Sequence, residues 1–143
     1  MICPSRELAL QCYEVFSKLN KYTSLTHCLV IGKVPIQKQE AEVRRGPDLI
    51  IATPGRIVDL LKNSQSFNLD DLEMLIFDEA DKLLSMGFQA EIEQLIEMIS
   101  KNRQTLLFSA TLDDNVKSLV KLTLNKPLRV QANPDHRVSE QLN

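Results

Sequence analysis

The chain has 143 residues and a mass of 16.3 kDa, room for one domain with a core of its own. Hydrophobic residues make up 43% and charged residues 25%, and a formal net charge of −2 argues neither for nor against a nucleic-acid partner. No apolar run approaches the ~18–20 residues of a membrane span, and Arg6 and Glu7 interrupt the start before a signal-peptide core can form.

In chain order, Met1-Ile2-Cys3 reads as the end of a strand. Leu8, Cys12, Val15, Phe16 and Leu19 then recur at helical steps. Leu29-Val30-Ile31, Leu49-Ile50-Ile51-Ala52, Met74-Leu75-Ile76-Phe77 and Thr105-Leu106-Leu107-Phe108 are continuous apolar runs, the pattern of strands buried on both faces of a parallel sheet. Ile92, Leu95, Ile96 and Ile99 predict a helix. Val116, Leu119 and Val120 predict another, with Asp113 and Asp114 suited to its N-terminus. Met86-Gly87-Phe88 reads as a turn between short helices, and Leu128-Arg129-Val130 as a weaker final strand. Alternating strands and helices imply βαβ units, hence an α/β fold: a three-layer sandwich around a mainly parallel sheet. Residues 1–131 are expected to form the domain, and the polar stretch 132–143, with Pro134, the start of a linker.

Charge is unevenly spread. Asp70, Asp71, Glu73, Asp78, Glu79, Asp81, Glu91, Glu93 and Glu97 face only Lys82 between positions 64 and 100, so the rest of the chain is net basic and can present a basic face. Glu91, Glu93 and Glu97 are most simply a solvated helix face. Cys3, Cys12 and Cys28 are odd in number and without metal-ligand spacing, which suits reduced cysteines of an intracellular protein. His27 and His136 belong to no Cys/His cluster and read as surface or internally satisfied histidines.

Four segments carry chemistry, each directly after an apolar run. Asp78-Glu79-Ala80-Asp81 places adjacent carboxylates at a strand end, as a phosphoryl-transfer enzyme does to hold Mg²⁺ and orient an attacking water. An acidic helix N-terminus is the plainer alternative. Ser109-Ala110-Thr111 is weaker, because Thr111 with Asp114 three places on could simply cap a helix. Thr53-Pro54-Gly55-Arg56 is a turn able to offer backbone amides, with Arg56 in a first helical turn where a cation is unfavourable unless an anion compensates it. Pro4-Ser5-Arg6-Glu7-Leu8 repeats that design. In a parallel sheet all four fall on the carboxyl rim, where open α/β sheets bind ligands.

Pro4-Ser5-Arg6-Glu7-Leu8, Gly32, Thr53-Pro54-Gly55-Arg56, Asp78-Glu79-Ala80-Asp81 and Ser109-Ala110-Thr111, in this order, resemble the first RecA-like lobe of a DEAD-box ATP-dependent RNA helicase. The resemblance runs from the first residues to Val130. It implies a P-loop-NTPase-type fold, ATP and Mg²⁺ as cofactors, a second RecA-like lobe in the parent chain, and a monomer acting on RNA through its backbone. Asp78 would hold Mg²⁺ through water and Glu79 would activate the attacking water. Asp81, Ser109 and Thr111 would couple hydrolysis to unwinding. Ser5, Arg6, Gly32, Lys33, Thr53, Gly55 and Arg56 would grip RNA. Ser5 replaces the family's Thr and keeps the hydroxyl; Lys33 replaces the second Gly of a Gly-Gly turn and should alter the grip.

None of Gly32, Gly46, Gly55 and Gly87 sits in a GxxxxGK[ST] phosphate loop. The expectation is therefore a lobe without its N-terminal strand and P-loop, inactive as an ATPase by itself. The alternatives are a non-catalytic RNA-binding or scaffold protein and a phosphate-receiving signalling domain; the arginine-bearing turns and Ser-Ala-Thr disfavour the latter. The stretch from Asn68 to Val130 looks most like the nucleolar ribosome-assembly branch, which implies a nuclear location.

Overall fold

The computed structural model describes residues 1–132. Apart from Ala132, the expected linker, with Pro134 and His136, lies outside them. The elements are α1 (Arg6–Leu19), a 3₁₀ turn (Asn20–Tyr22), β1 (His27–Val30), α2 (Ile36–Val43), β2 (Leu49–Ala52), α3 (Pro54–Asn63), β3 (Met74–Phe77), α4 (Ala80–Ser85), α5 (Gln89–Glu97), β4 (Gln104–Leu107) and α6 (Asp114–Thr123). All four expected internal strands form, displaced by at most two residues.

β1 pairs with β2 and β3 with β4, both in parallel. The two ladders meet at Met1-Ile2-Cys3. Ile2 bridges Ala52 on one side and Phe77 on the other; its N–H donates to Ile76 O (2.7 Å) and its carbonyl accepts from Asp78 N (3.0 Å). The apparent strand end at the start of the sequence thus runs between β2 and β3.

Period-two alternation then sorts the side chains into two layers. Ile2, Cys28, Val30, Ala52, Leu75 and Phe77 join one core with Ile57 and Leu60 of α3 and Ile92 and Leu95 of α5. Cys3, Leu29, Ile31 and Ile51 face α1, through Leu8, Ala9, Cys12 and Phe16. Helices on both sheet faces give the expected three layers. β4 is less enclosed than its apolar sequence suggests: Thr105, Leu106 and Leu107 are only half-buried.

One reading needs correction, and one element was missed. Leu128-Arg129-Val130 forms no strand; Leu128 and Val130 are 89% and 85% exposed, and no described strand edge pairs with them. A short Leu-x-Val alternation without a partner edge cannot satisfy its backbone in a ladder. The missed element, α2, was invisible to periodicity, because its sequence offers only Ile36 and Val43 as large apolar positions while its buried face includes Gln39.

Local chemistry fixes the ends. Ser5 caps α1 by accepting from Leu8 N (3.1 Å), and Asp113 caps α6 by accepting from Val116 N (2.8 Å), so the cap of α6 is Asp113 rather than Thr111. Thr26 donates from its N–H and hydroxyl to Asp48 Oδ2 (2.7 and 2.8 Å), which holds the Asp48 carboxyl below its ordinary range and ties the entries of β1 and β2 together. His27 opens β1, its ring tilted against Tyr13 and edge-on to Phe16, with Nε2 2.7 Å from Ser17 Oγ, the satisfied histidine expected. No described helix is long and apolar enough to cross a membrane.

Candidate active site

Because the strands are parallel, the segments following Cys3, Val30, Ala52, Phe77 and Leu107 emerge on one rim. Asp78 follows β3 and is half-buried, its Oδ1 accepting from Glu79 N (3.0 Å). Glu79 is left-handed, with φ 49° and ψ 56°. Left-handed backbone costs an L-residue roughly 1–2 kcal/mol and collects at functional sites. It allows the chain to turn from strand into α4 within one residue. Lys82, one helical turn on, holds the Glu79 carboxylate at 2.9 Å, and that contact raises the lysine's own pKa. Motif reading passed over Lys82, although the Glu79–Lys82 spacing is that of a helical ion pair.

Asp81 meets the serine–alanine–threonine segment directly. Its N–H donates to Ser109 Oγ (3.3 Å), and Thr111 Oγ1 donates to its Oδ2 (3.4 Å). Ala80 N donates to Phe108 O at 2.9 Å, which locks the start of α4 against the end of β4. Both hydroxyls therefore face the acidic turn, and neither caps α6.

The remaining rim residues line a cleft of about 500 Å³ that includes Ser5, Arg6, Gly32, Thr53, Gly55 and Arg56. Gly55 is exposed with nothing within 4 Å of where a side chain would begin, so its backbone is open to approach. Arg6 keeps 38% of its side chain exposed, and its nearest acid, Glu7, is 3.8 Å away.

Arg56 differs from expectation. Its Nη1 donates to Val34 O (2.7 Å) and Gln39 Oε1 (3.0 Å), and Asp59 lies 3.9 Å from its Nε. The unfavourable cation in the first turn of α3 is thus compensated within the fold. Buried Gln39 completes the bracket by donating from Nε2 to Ile31 O (2.9 Å), so Arg56 and Gln39 together hold the 31–34 turn. Gln39 is the rim residue the sequence did not reveal; a polar side chain on a polar helix carries no apolar signal.

Lys33 stands apart. It is exposed, left-handed (φ 65°) and outside the cleft lining. Lys33→Gly is expected to stabilise the fold by about 0.5–1 kcal/mol, since relief of the left-handed cost exceeds the entropy lost with Gly. A urea midpoint that falls in this variant would contradict the strain assigned to the turn.

The model of the DEAD/DEAH box helicase family matches residues 1–119, most of the chain. The chain belongs to that family. Among curated relatives it is 50% identical over 142 residues to a Dictyostelium discoideum protein named probable ATP-dependent RNA helicase ddx27, covering 99% of this chain and 18% of that protein. It is 46% identical over 130 residues to ATP-dependent RNA helicase drs1 of Schizosaccharomyces pombe, covering 91% and 17%. A solved DEAD box protein from Methanococcus jannaschii superposes with a TM-score of 0.81 at 31% identity, over 87% of this chain and 34% of that one. This DEAD/DEAH box segment thus spans less than a fifth of the length of these two curated relatives.

Proposed function

We propose that the chain is part of an ATP-dependent RNA helicase, in which one rim joins nucleotide hydrolysis to the grip on an RNA strand. The observation that carries this reading is the Asp81 carboxylate and amide, bonded to Thr111 and Ser109, beside Asp78-Glu79 on the rim that also bears the cleft. Asp78 suits Mg²⁺: it is a hard carboxylate at a strand end, half-open to water, and Mg²⁺ takes few protein oxygens and keeps its waters. Such an ion, when bound, would offset the phosphate charge of ATP. Glu79, one residue on, is placed to accept a proton from an attacking water. A change in the nucleotide site would reach the strand-binding surface through Asp81 to Ser109 and Thr111.

In the cleft, Arg6 supplies the accessible cation, Ser5, Gly32 and Thr53 line it with small residues, and Gly55 supplies open backbone. Arg56 acts by holding the Gly32–Lys33 turn through Val34 and Gln39. Contacts of this kind read backbone phosphate and 2′-hydroxyl rather than bases. The relatives' names, ATP-dependent RNA helicases ddx27 and drs1, support the helicase reading. The proposal extends it to the ribosome-assembly branch and a nucleolar location, with residues 1–131 as one lobe, a second lobe in the parent and a monomeric enzyme.

The test is RNA affinity of the full-length protein as a function of salt. Arg6→Ala should weaken single-stranded RNA binding on the order of tenfold for every sequence, and flatten the log–log salt dependence by about 0.7. Unchanged affinity and slope, or a loss confined to one sequence, would remove the cleft as the RNA site. A full-length protein that binds RNA yet never hydrolyses ATP would establish the scaffold alternative.

A further inference from the structure

Asp78 has neighbours that linear spacing conceals. Cys3 ends the central segment of the sheet, Cys12 lies midway along α1, and Asp78 follows β3. Their ligand atoms, two sulfurs and a carboxylate oxygen, all lie within 4.8 Å of one another. The two sulfurs are thus near neighbours, each close to the Asp78 carboxylate. Cys3 is fully buried, whereas Cys12 and Asp78 are partly open, which leaves a route from solvent.

We propose that Cys3, Cys12 and Asp78 form a site for a thiophilic divalent cation of the zinc class, with water as the fourth ligand. Tetrahedral zinc with sulfur and oxygen ligands sets those atoms roughly 3.5–3.8 Å apart, about an ångström inside the present bound. Side-chain rotation of Cys12 on its helix supplies that adjustment without moving the sheet. Two thiolates select zinc or cadmium over magnesium, which prefers an all-oxygen shell. Binding forms two metal–sulfur bonds and one metal–oxygen bond, and the two thiol protons leave to solvent. The third cysteine, Cys28, is buried on β1 outside the trio.

Occupation would engage the Asp78 carboxylate and so compete with its service to the nucleotide's metal. This consequence rests on the function proposed above; the binding site does not. A cation drawn from the thiophilic class would then act as an inhibitor.

Cadmium titration of the chain, kept reduced by a phosphine, tests the site through thiolate-to-metal charge-transfer absorption. One cadmium per chain is expected, with the intensity of two thiolates. Cys12→Ala, at a partly exposed helical position that tolerates Ala, should halve the intensity and weaken binding at least about tenfold. Asp78→Asn should weaken binding similarly while leaving the sulfur band intact. Cys28→Ala should change nothing. A titration unaltered by Cys12→Ala, or abolished by Cys28→Ala, overturns the site. In the full-length enzyme, zinc should inhibit ATP turnover less in Cys12→Ala than in wild type. Zinc that binds the trio without slowing turnover would overturn the role given to Asp78 and leave the site standing.

Discussion

Glu79→Gln is expected to lower RNA-stimulated ATP hydrolysis by the full-length protein about 10²- to 10⁴-fold, the range of a general base lost from its transition state. That corresponds to about 2.7–5.5 kcal/mol of barrier. The substitution is nearly isosteric and leaves the left-handed backbone at position 79 as it is, because Gln and Glu meet the same steric cost at φ 49°. It removes the charge held by Lys82, but that pair is exposed and contributes little to folding. A thermal midpoint close to wild type is therefore expected beside the lost rate. The loss should fall on kcat with KM for ATP almost unchanged, since a proton acceptor acts in the transition state and not in ground-state binding. A decrease below about threefold would remove Glu79 from the chemistry.

The same residue shows what sequence conveys and where it stops. Asp78 and Glu79 were legible because an apolar strand ends at Phe77 and two carboxylates follow at once. Their backbone was not: no pattern of residue types announces that Glu79, and not a glycine, takes the left-handed turn. The strands were legible for a related reason. Each is a continuous apolar run, and a sheet covered by helices on both faces demands that. Where cover is thinner, as at β4, the sequence still reads as buried while the residues are half-open.

Polar residues with internal roles were the main blind spot. Gln39 reads as a solvent-facing residue of an unremarkable polar stretch, yet it is 2% exposed and holds both Ile31 O and Arg56. Arg56 was recognised as anomalous in a first helical turn. The compensating acceptors, however, come from twenty-two and seventeen residues upstream, and only the folded chain brings them together. The cysteines are free, as expected, but their proximity was not visible. Cys3 and Cys12 lie too far apart in sequence for a metal motif, but strand, turn and helix fold the second back over the first. Conversely, Leu128-Arg129-Val130 looked regular enough for a strand and is not one, because alternation specifies a strand only where an edge is available to pair with.

Phe77→Ala is expected to destabilise the fold by about 3–5 kcal/mol, against a typical total of about 5–15 kcal/mol for a domain. Phe77 is 0% exposed and belongs to the larger core. It pairs with Leu107, bridges to Ile2, and its carbonyl accepts from Phe108 N at 2.9 Å. It therefore stands where the two ladders and the central segment converge. Truncation to Ala removes apolar surface from the core and leaves a cavity in a sheet whose backbone, fixed by bonds on both sides, cannot collapse to fill it. The adjacent Phe108 provides the comparison. It is 56% exposed, so Phe108→Ala should shift stability by no more than about 0.5–1 kcal/mol despite identical chemistry. Urea unfolding of the two variants separates them: a large fall in midpoint for Phe77→Ala and a small one for Phe108→Ala. Equal midpoints would mean that the junction between the ladders is looser than its hydrogen bonds indicate. Asp78 and Glu79 would feel the first loss as well, because Asp78 N is held by Ile2 O at 3.0 Å, one residue beyond the cavity. Asp78 and Glu79 thus owe their position to the most buried aromatic side chain in the described fold, and a rate deficit in Phe77→Ala should track its unfolded fraction as urea is added.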